Sequence, residues 1–109
     1  NTAANYFWSA WYTSNGGTNG QSVASPGTSV NPAYGSSATP QGFQIIEMWG
    51  PAATRNTTFN FTENRNDAGG QIIRNGGGIH VDSTSHDGIS FTASTGTMGG
   101  TITIYGYRN

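Results

Sequence analysis

The chain has 109 residues, a formal net charge of −1 and no cysteine, a length that fits one small domain. Gly, Thr, Ser and Asn make up about half of it, and leucine and lysine are absent; with most strong helix formers missing, a mainly helical protein is excluded. The four arginines form no basic patch and no apolar run nears the ~20 residues of a membrane span, so neither a grip on nucleic-acid phosphates nor membrane insertion is expected.

Low apolar content can signal disorder, but disordered chains usually also carry high net charge and few aromatics. Here the charge is near zero and aromatics reach 12%. The composition predicts an ordered β domain with a thin core, and a thin core without disulfides predicts extra burial at a subunit interface. The missing cysteines leave the redox compartment open. The first residues carry no signal-peptide pattern, so the chain is expected to be a mature product or a piece of a longer protein.

The first predicted element is an aromatic strand within residues 1–12. Alternation puts Tyr6, Trp8, Ala10 and Tyr12 on one face and Phe7, Ser9 and Trp11 on the other. Both faces are apolar, so both need cover. The domain's own core supplies one cover, and a neighbouring subunit or a ligand is expected to supply the other. Residues 1–12 are therefore a candidate strand exchanged with, or packed on, a neighbour, with Tyr6, Phe7, Trp8, Trp11 and Tyr12 as the assembly interface.

Residues 13–42 read as loop, punctuated by Gly16, Gly17, Gly20, Gly27, Pro26, Pro32 and Pro40. Only Ser22–Ala24 and Ser29–Val30 hint at short strands. From Phe43 to Trp49, Ile45, Glu47 and Trp49 share one face and Ile46 and Met48 the other. Thr57 to Thr62 places Phe59 and Phe61 inward. Gln71–Arg74 and Gly78–Val81 read as two short strands, with the Asn75-Gly76 pair and the Gly69-Gly70 pair as hairpin turns. Gly88–Ala93 puts Ile89, Phe91 and Ala93 inward, and Thr101–Tyr107 does the same for Ile102 and Ile104. Strands at roughly ten-residue spacing predict a single domain over 1–109. It is all-β, an antiparallel jelly-roll-like sandwich of about eight short strands with no significant helix.

The last stretch carries a resemblance. Ile89 to Ala93, then Met98-Gly99-Gly100, then Ile102-Thr-Ile-Tyr-Gly106 resembles the closing hairpin of a jelly-roll module common in bacteriophage virion surface proteins. Phe43 to Phe61 is similar, more loosely, to that family's paired strands. The resemblance implies a tail-fibre, receptor-binding or capsid-decoration module, usually oligomeric and usually not an enzyme. The chain departs from the pattern at Met98, where a Phe is usual, and at its close, Tyr107-Arg108-Asn109. Independently of the family, Ile89, Phe91, Ile102 and Ile104 are suited to cross-strand pairing.

Candidate chemistry is sparse. His80, Asp82, His86 and Asp87 fall within eight residues. Two imidazoles and two carboxylates suit a divalent ion, whereas the simpler reading is a polar strand end with turn-forming residues. Ser85-His86-Asp87 holds the residue types of a nucleophilic relay, but neighbouring strand residues point opposite ways and no elbow motif surrounds a serine. Glu47, Glu63 and the three aspartates mark no glycosidase pair. The glycine runs lack a P-loop lysine. No catalytic residue, resident metal or cofactor is expected. Exposed Trp and Tyr suit sugar faces: Trp8, Trp11, Tyr12, Tyr34, Trp49, Tyr105 and Tyr107 are candidates, Trp8 and Trp49 being expected to fill the core or a subunit interface, with Tyr105, Tyr107 and Arg108 as the candidate ligand-binding group. Asn56 and Asn60 open glycosylation sequons.

The expected function is therefore a non-enzymatic extracellular structural or adhesion module at a virion surface. It works as a homo-oligomer, a trimer or a helical filament, with a host-surface glycan as a further expected partner. The alternatives are a subunit of a self-assembling extracellular filament with an inserted N-terminal strand, or a secreted carbohydrate-binding lectin.

Overall fold

A computed structural model describes residues 5–30, 41–67, 70–82, 84–93, 96–97 and 99–106. The described chain is all-β and antiparallel. It forms five strands, β1 (Tyr6–Ser14), β2 (Asn19–Gly27), β3 (Gln41–Trp49), β4 (Thr57–Asp67) and β5 (Gly70–His80). They make one sheet in the order β2-β1-β5-β4-β3. β5 is the central strand, and β1 lies inside the sheet, paired with β2 on one side and β5 on the other. The two edges are β2 and β3.

Local chemistry explains most of these elements. β1 is rich in aromatic residues, which suit a pleated, packed surface. It turns into β2 through Asn15–Thr18, where Gly17 takes φ of +75° and donates its N–H to the Ser14 carbonyl, a conformation cheap only for glycine. β2 occupies part of the stretch expected to be loop. Its apolar content is too low to announce a strand, and its pairing comes from the β1 edge beside it. Pro26 falls in this edge strand, where a missing N–H is tolerated.

β5 corrects the sequence expectation most directly. Gln71–Arg74 and Gly78–Val81 do not form two strands around an Asn75-Gly76 turn. Gly70–His80 is one strand of 11 residues with Asn75, Gly76, Gly77 and Gly78 inside it. The glycines serve close approach instead. A Cβ on Gly76 would lie 2.5 Å from the Phe61 ring and 2.7 Å from the Ala10 Cβ. One on Gly78 would meet the Phe7 carbonyl, the Trp8 Cβ at 2.7 Å and the Phe59 ring at 2.8 Å. Real Cβ atoms do not sit this close, so only glycine lets the rings lie over the β5 backbone. The Gly69-Gly70 expectation fares differently: Gly70 pairs with Asp67 as β4 and β5 meet, while Gly69 lies outside the described residues.

Directly paired residues of an antiparallel sheet share a face, so the register defines two surfaces. One carries Tyr6, Trp8, Ala10, Tyr12, Phe59, Phe61, Ile46, Glu63, Arg74 and His80. Trp8, Ala10, Phe59 and Phe61 are its buried core, with Tyr6, Val30 and Ile46 packed against them. Trp8 meets Phe61 edge-on with centroids 6.4 Å apart. Arg74, almost wholly buried, stacks its guanidinium over Trp8 at 5.3 Å and lies 3.8 Å from the Glu63 carboxylate. The other surface carries Phe7, Trp11, Val23, Phe43, Ile45, Trp49 and Ile73, all exposed.

The remaining expectations concern the C-terminal part. Residues 84–93 and 99–106 form no strand, so the described residues give five strands where about eight were expected. Ile89 and Phe91 are 42% and 39% exposed, and Ile102 and Ile104 are more exposed still. The alternation of Ile and Thr marks a face but supplies no partner. The inner positions of the sheet are filled, and an isolated pair of strands is marginal in water. Met98 and Tyr34 lie outside the described residues.

Candidate functional site

Two features stand out above the sheet's own core. The first is the open face. β3 contributes Phe43, Ile45 and Trp49; β1 contributes Phe7 and Trp11; Val23 and Ile73 complete it. Trp11 is 64% exposed, against nearly complete burial of Trp8 on the opposite side of the same strand. Between the apolar positions lie Ser9, Asn60, Thr62, Asn64 and Asn75, with the Thr62 hydroxyl donating to Asn75 Oδ1. In the C-terminal segment 99–106, Tyr105 is 84% and Ile104 75% exposed.

The five residues expected at an assembly interface therefore divide. Trp8 is core, and Tyr6 and Tyr12 are half-buried on the covered face. Phe7 and Trp11 stand on the open face. The strand expected to be exchanged with a neighbour is paired on both sides within its own sheet. The sequence pattern did not mark Phe43 and Ile45 as surface residues, and Trp49 was expected to fill the core or an interface, whereas it is 47% exposed. The signal was available, because β3, like β1, has apolar residues on both faces. Of the expected ligand-binding group, Tyr105 is exposed, and Tyr107 and Arg108 lie outside the described residues.

The second feature is a side-chain cluster at the end of β5. His80 is buried and pairs with Tyr6 of β1 and Thr57 of β4 in the sheet register. Its ring stacks on Tyr6 with centroids 4.1 Å apart. Asp82 follows two residues later and accepts hydrogen bonds at Oδ1 from the backbone N–H and the hydroxyl of Thr84. The chain then folds back under the β3–β4 connection. The Ser85 hydroxyl donates to the Ala52 carbonyl, and the His86 N–H donates to the Pro51 carbonyl, both at 2.8 Å. This return brings the His86 ring to 5.0 Å from His80. One ligand atom from each of His80, Asp82 and His86 lies within 4.8 Å of the others. Asp87, the fourth residue of the expected group, is exposed and outside this cluster.

The cluster's electrostatics follow from its surroundings. Burial, and then the neighbouring His86, hold the His80 imidazole below the ordinary histidine value. The Thr84 hydroxyl and N–H hold the Asp82 carboxyl below the usual carboxylate range. Near neutrality the site presents a neutral imidazole and a carboxylate. Ser85 is turned to Ala52 rather than to His86, so the consecutive Ser-His-Asp forms no relay here. Glu47 and Glu63 fall on opposite faces of the sheet. A shallow depression lined by Thr13, Ser14, Asn15, Asn64, Gln71 and Ile73 holds no titratable side chain.

No protein-family model, curated protein or solved structure matches this chain. The geometry alone carries the functional reading.

Proposed function

We propose that this protein is a non-enzymatic, extracellular structural subunit that works by self-assembly, adding its C-terminal segment to the sheet of a neighbouring copy. The observation that carries this reading is the contrast within 99–106: Ile102 and Ile104 alternate with threonines as in a strand, yet are exposed and unpaired among the described residues. The donated strand meets an available edge. β3 runs for nine residues without proline or register shift and is apolar on both faces. β2 is the poorer template, since it contains Pro26 and its pairing shifts between Tyr6 and Trp8. A long edge strand, apolar on both faces, favours strand addition.

The two-layered jelly-roll sandwich of about eight strands is, on this reading, the architecture of the assembly, with the open face covered by a second copy. Adding a tail to an edge is a head-to-tail contact, which closes into a ring or extends into a filament. A closed trimer corresponds to the virion-surface module that the sequence resembles, and an open helix to the filament. A polar, lysine-free surface suits an extracellular setting in either case.

One observation favours carbohydrate adhesion as a second reading. Trp11 presents a flat exposed ring directly across from Asn75, an aromatic-plus-amide pairing suited to a sugar face.

The test is Ile102→Asp with Ile104→Asp, compared with the parent chain by sedimentation and electron microscopy. The variant is expected to remain folded and monomeric while the parent assembles, and a peptide of residues 99–109 is expected to block parent assembly. A variant that assembles like the parent overturns the proposal. A variant that unfolds as a dilute monomer assigns the segment to its own domain's core, which overturns it equally.

A further inference from the structure

We propose that His80, Asp82 and His86 form a binding site for one divalent transition-metal ion of the zinc, nickel and copper class, and that the ion fastens the start of the C-terminal segment to the end of β5. The inference does not depend on the assembly reading.

The three donors come from separate structural constraints, which is how a site differs from a chance polar patch. His80 is fixed by strand pairing on both sides and by the stacked Tyr6 ring. Asp82 is oriented by two hydrogen bonds from Thr84. His86 is returned to the strand end by the contacts of residues 85 and 86 with Ala52 and Pro51. The ligand atoms lie within 4.8 Å of one another. Zinc bonds of roughly 2.0–2.2 Å to nitrogen and oxygen put tetrahedral ligands about 3.4 Å apart. Asp82 and His86 are only half-buried, which leaves their side chains room to close that difference.

A second observation marks the same place. The His86 Nε2 and the Thr57 Oγ1 are both buried, and neither has a hydrogen-bond partner among the described residues. Thr57 sits directly across from His80 on the covered face. Buried polar atoms are usually hydrogen-bonded, and these two, beside a histidine pair, are available to an ion and its bound water. The donor chemistry sets the class. Two imidazoles and one carboxylate suit zinc, nickel or copper, whereas magnesium and calcium take oxygen ligands. Three protein donors leave a position for water. An ion here ties β5 to the segment that leaves it, at the level of Asp82–His86.

The test uses the untagged full chain, stripped with chelator and titrated calorimetrically at pH 7.5 with Zn²⁺, Mg²⁺ and Ca²⁺. One equivalent of Zn²⁺ is expected to bind, with Mg²⁺ and Ca²⁺ at least 100-fold weaker (on the order of 10² by donor type). His86→Ala and Asp82→Asn are each expected to weaken Zn²⁺ binding by about tenfold or more, and Asp87→Asn to leave it unchanged. The chain has only two histidines, so the ring resonances of the parent protein give a reading that no substitution can confound: Zn²⁺ is expected to shift both together. Absence of stoichiometric Zn²⁺ binding, binding by His86→Ala equal to the parent's, equal loss in Asp87→Asn, or a shift of one histidine alone overturns the proposal.

Discussion

The two faces of the sheet use the same amino acids in opposite ways. On the covered face Trp8 packs edge-on against Phe61, Arg74 lies over both rings, and glycines at 76 and 78 let the rings reach the β5 backbone. On the open face Trp11, three residues further along the same strand, projects into solvent beside threonines and asparagines. The difference teaches that aromatic content does not define the core here. The core lies where side chains are removed from one strand to admit rings from its neighbours. Among the described residues the open face has no such arrangement, and its apolar residues stand exposed.

The comparison breaks first at Gly78. Gly78→Val places a branched side chain against the Phe7 carbonyl and the Trp8 Cβ, atoms of β1, a strand held by pairing on both sides. No folded protein is expected, as judged by far-UV circular dichroism of the purified chain. A folded product within about 1 kcal/mol of the parent would show that the rings do not lie over β5. Next in size is Phe61→Ala, which should cost about 3–5 kcal/mol in urea unfolding because a buried ring leaves a cavity. A loss under about 1 kcal/mol would remove Phe61 from the core.

A smaller effect belongs to the rim of the covered face, at His80. Its folded-state pKa is lowered, so the folded protein binds the proton less readily than the unfolded chain. The contribution of the neutral ring is fully present above about pH 6.5 and is lost as pH falls through the lower folded value. Asp82, also lowered, adds a loss at more acidic pH, below the ordinary carboxylate value. Urea midpoints in metal-free buffer are expected to drop between pH 7.5 and pH 5; a flat profile across that range contradicts the assignment.

The smallest effect on folding is expected on the open face. Trp11→Ser should change the unfolding free energy of the dilute monomer by no more than about 0.5 kcal/mol, while slowing assembly at high concentration. A cost of several kcal/mol in the dilute monomer would mean that a single chain already covers this face, and the contrast between the two surfaces would collapse.

Much of the covered face was legible in the sequence. Alternation in β1 separated Trp8 from Trp11, and alternation in Thr57–Thr62 placed Phe59 and Phe61 inward, because strand side chains have a period of two. The same periodicity separated Ile46 from Ile45 and Trp49. The histidine group was visible as residue types, but spacing cannot bring His86 back to His80; the hydrogen bonds to Ala52 and Pro51 do that. The Asn-Gly pair was misleading, since glycine serves tight turns and close packing alike, and only the neighbouring rings distinguish the two.

By itself, then, the sequence determined the all-β class, the absence of a strong helical signal and the two-faced character of β1 and β3, because these follow from local propensity and residue period. The tertiary structure decided the rest: the place of β1 between β2 and β5, the unbroken run of β5, the entry of β2 into the sheet and the exposure of Ile102 and Ile104. The physical reason is that strand formation needs a partner edge. A sequence specifies which side of a strand is apolar, but hydrogen bonds to another strand determine whether it pairs and with what, and those partners lie far away along the chain.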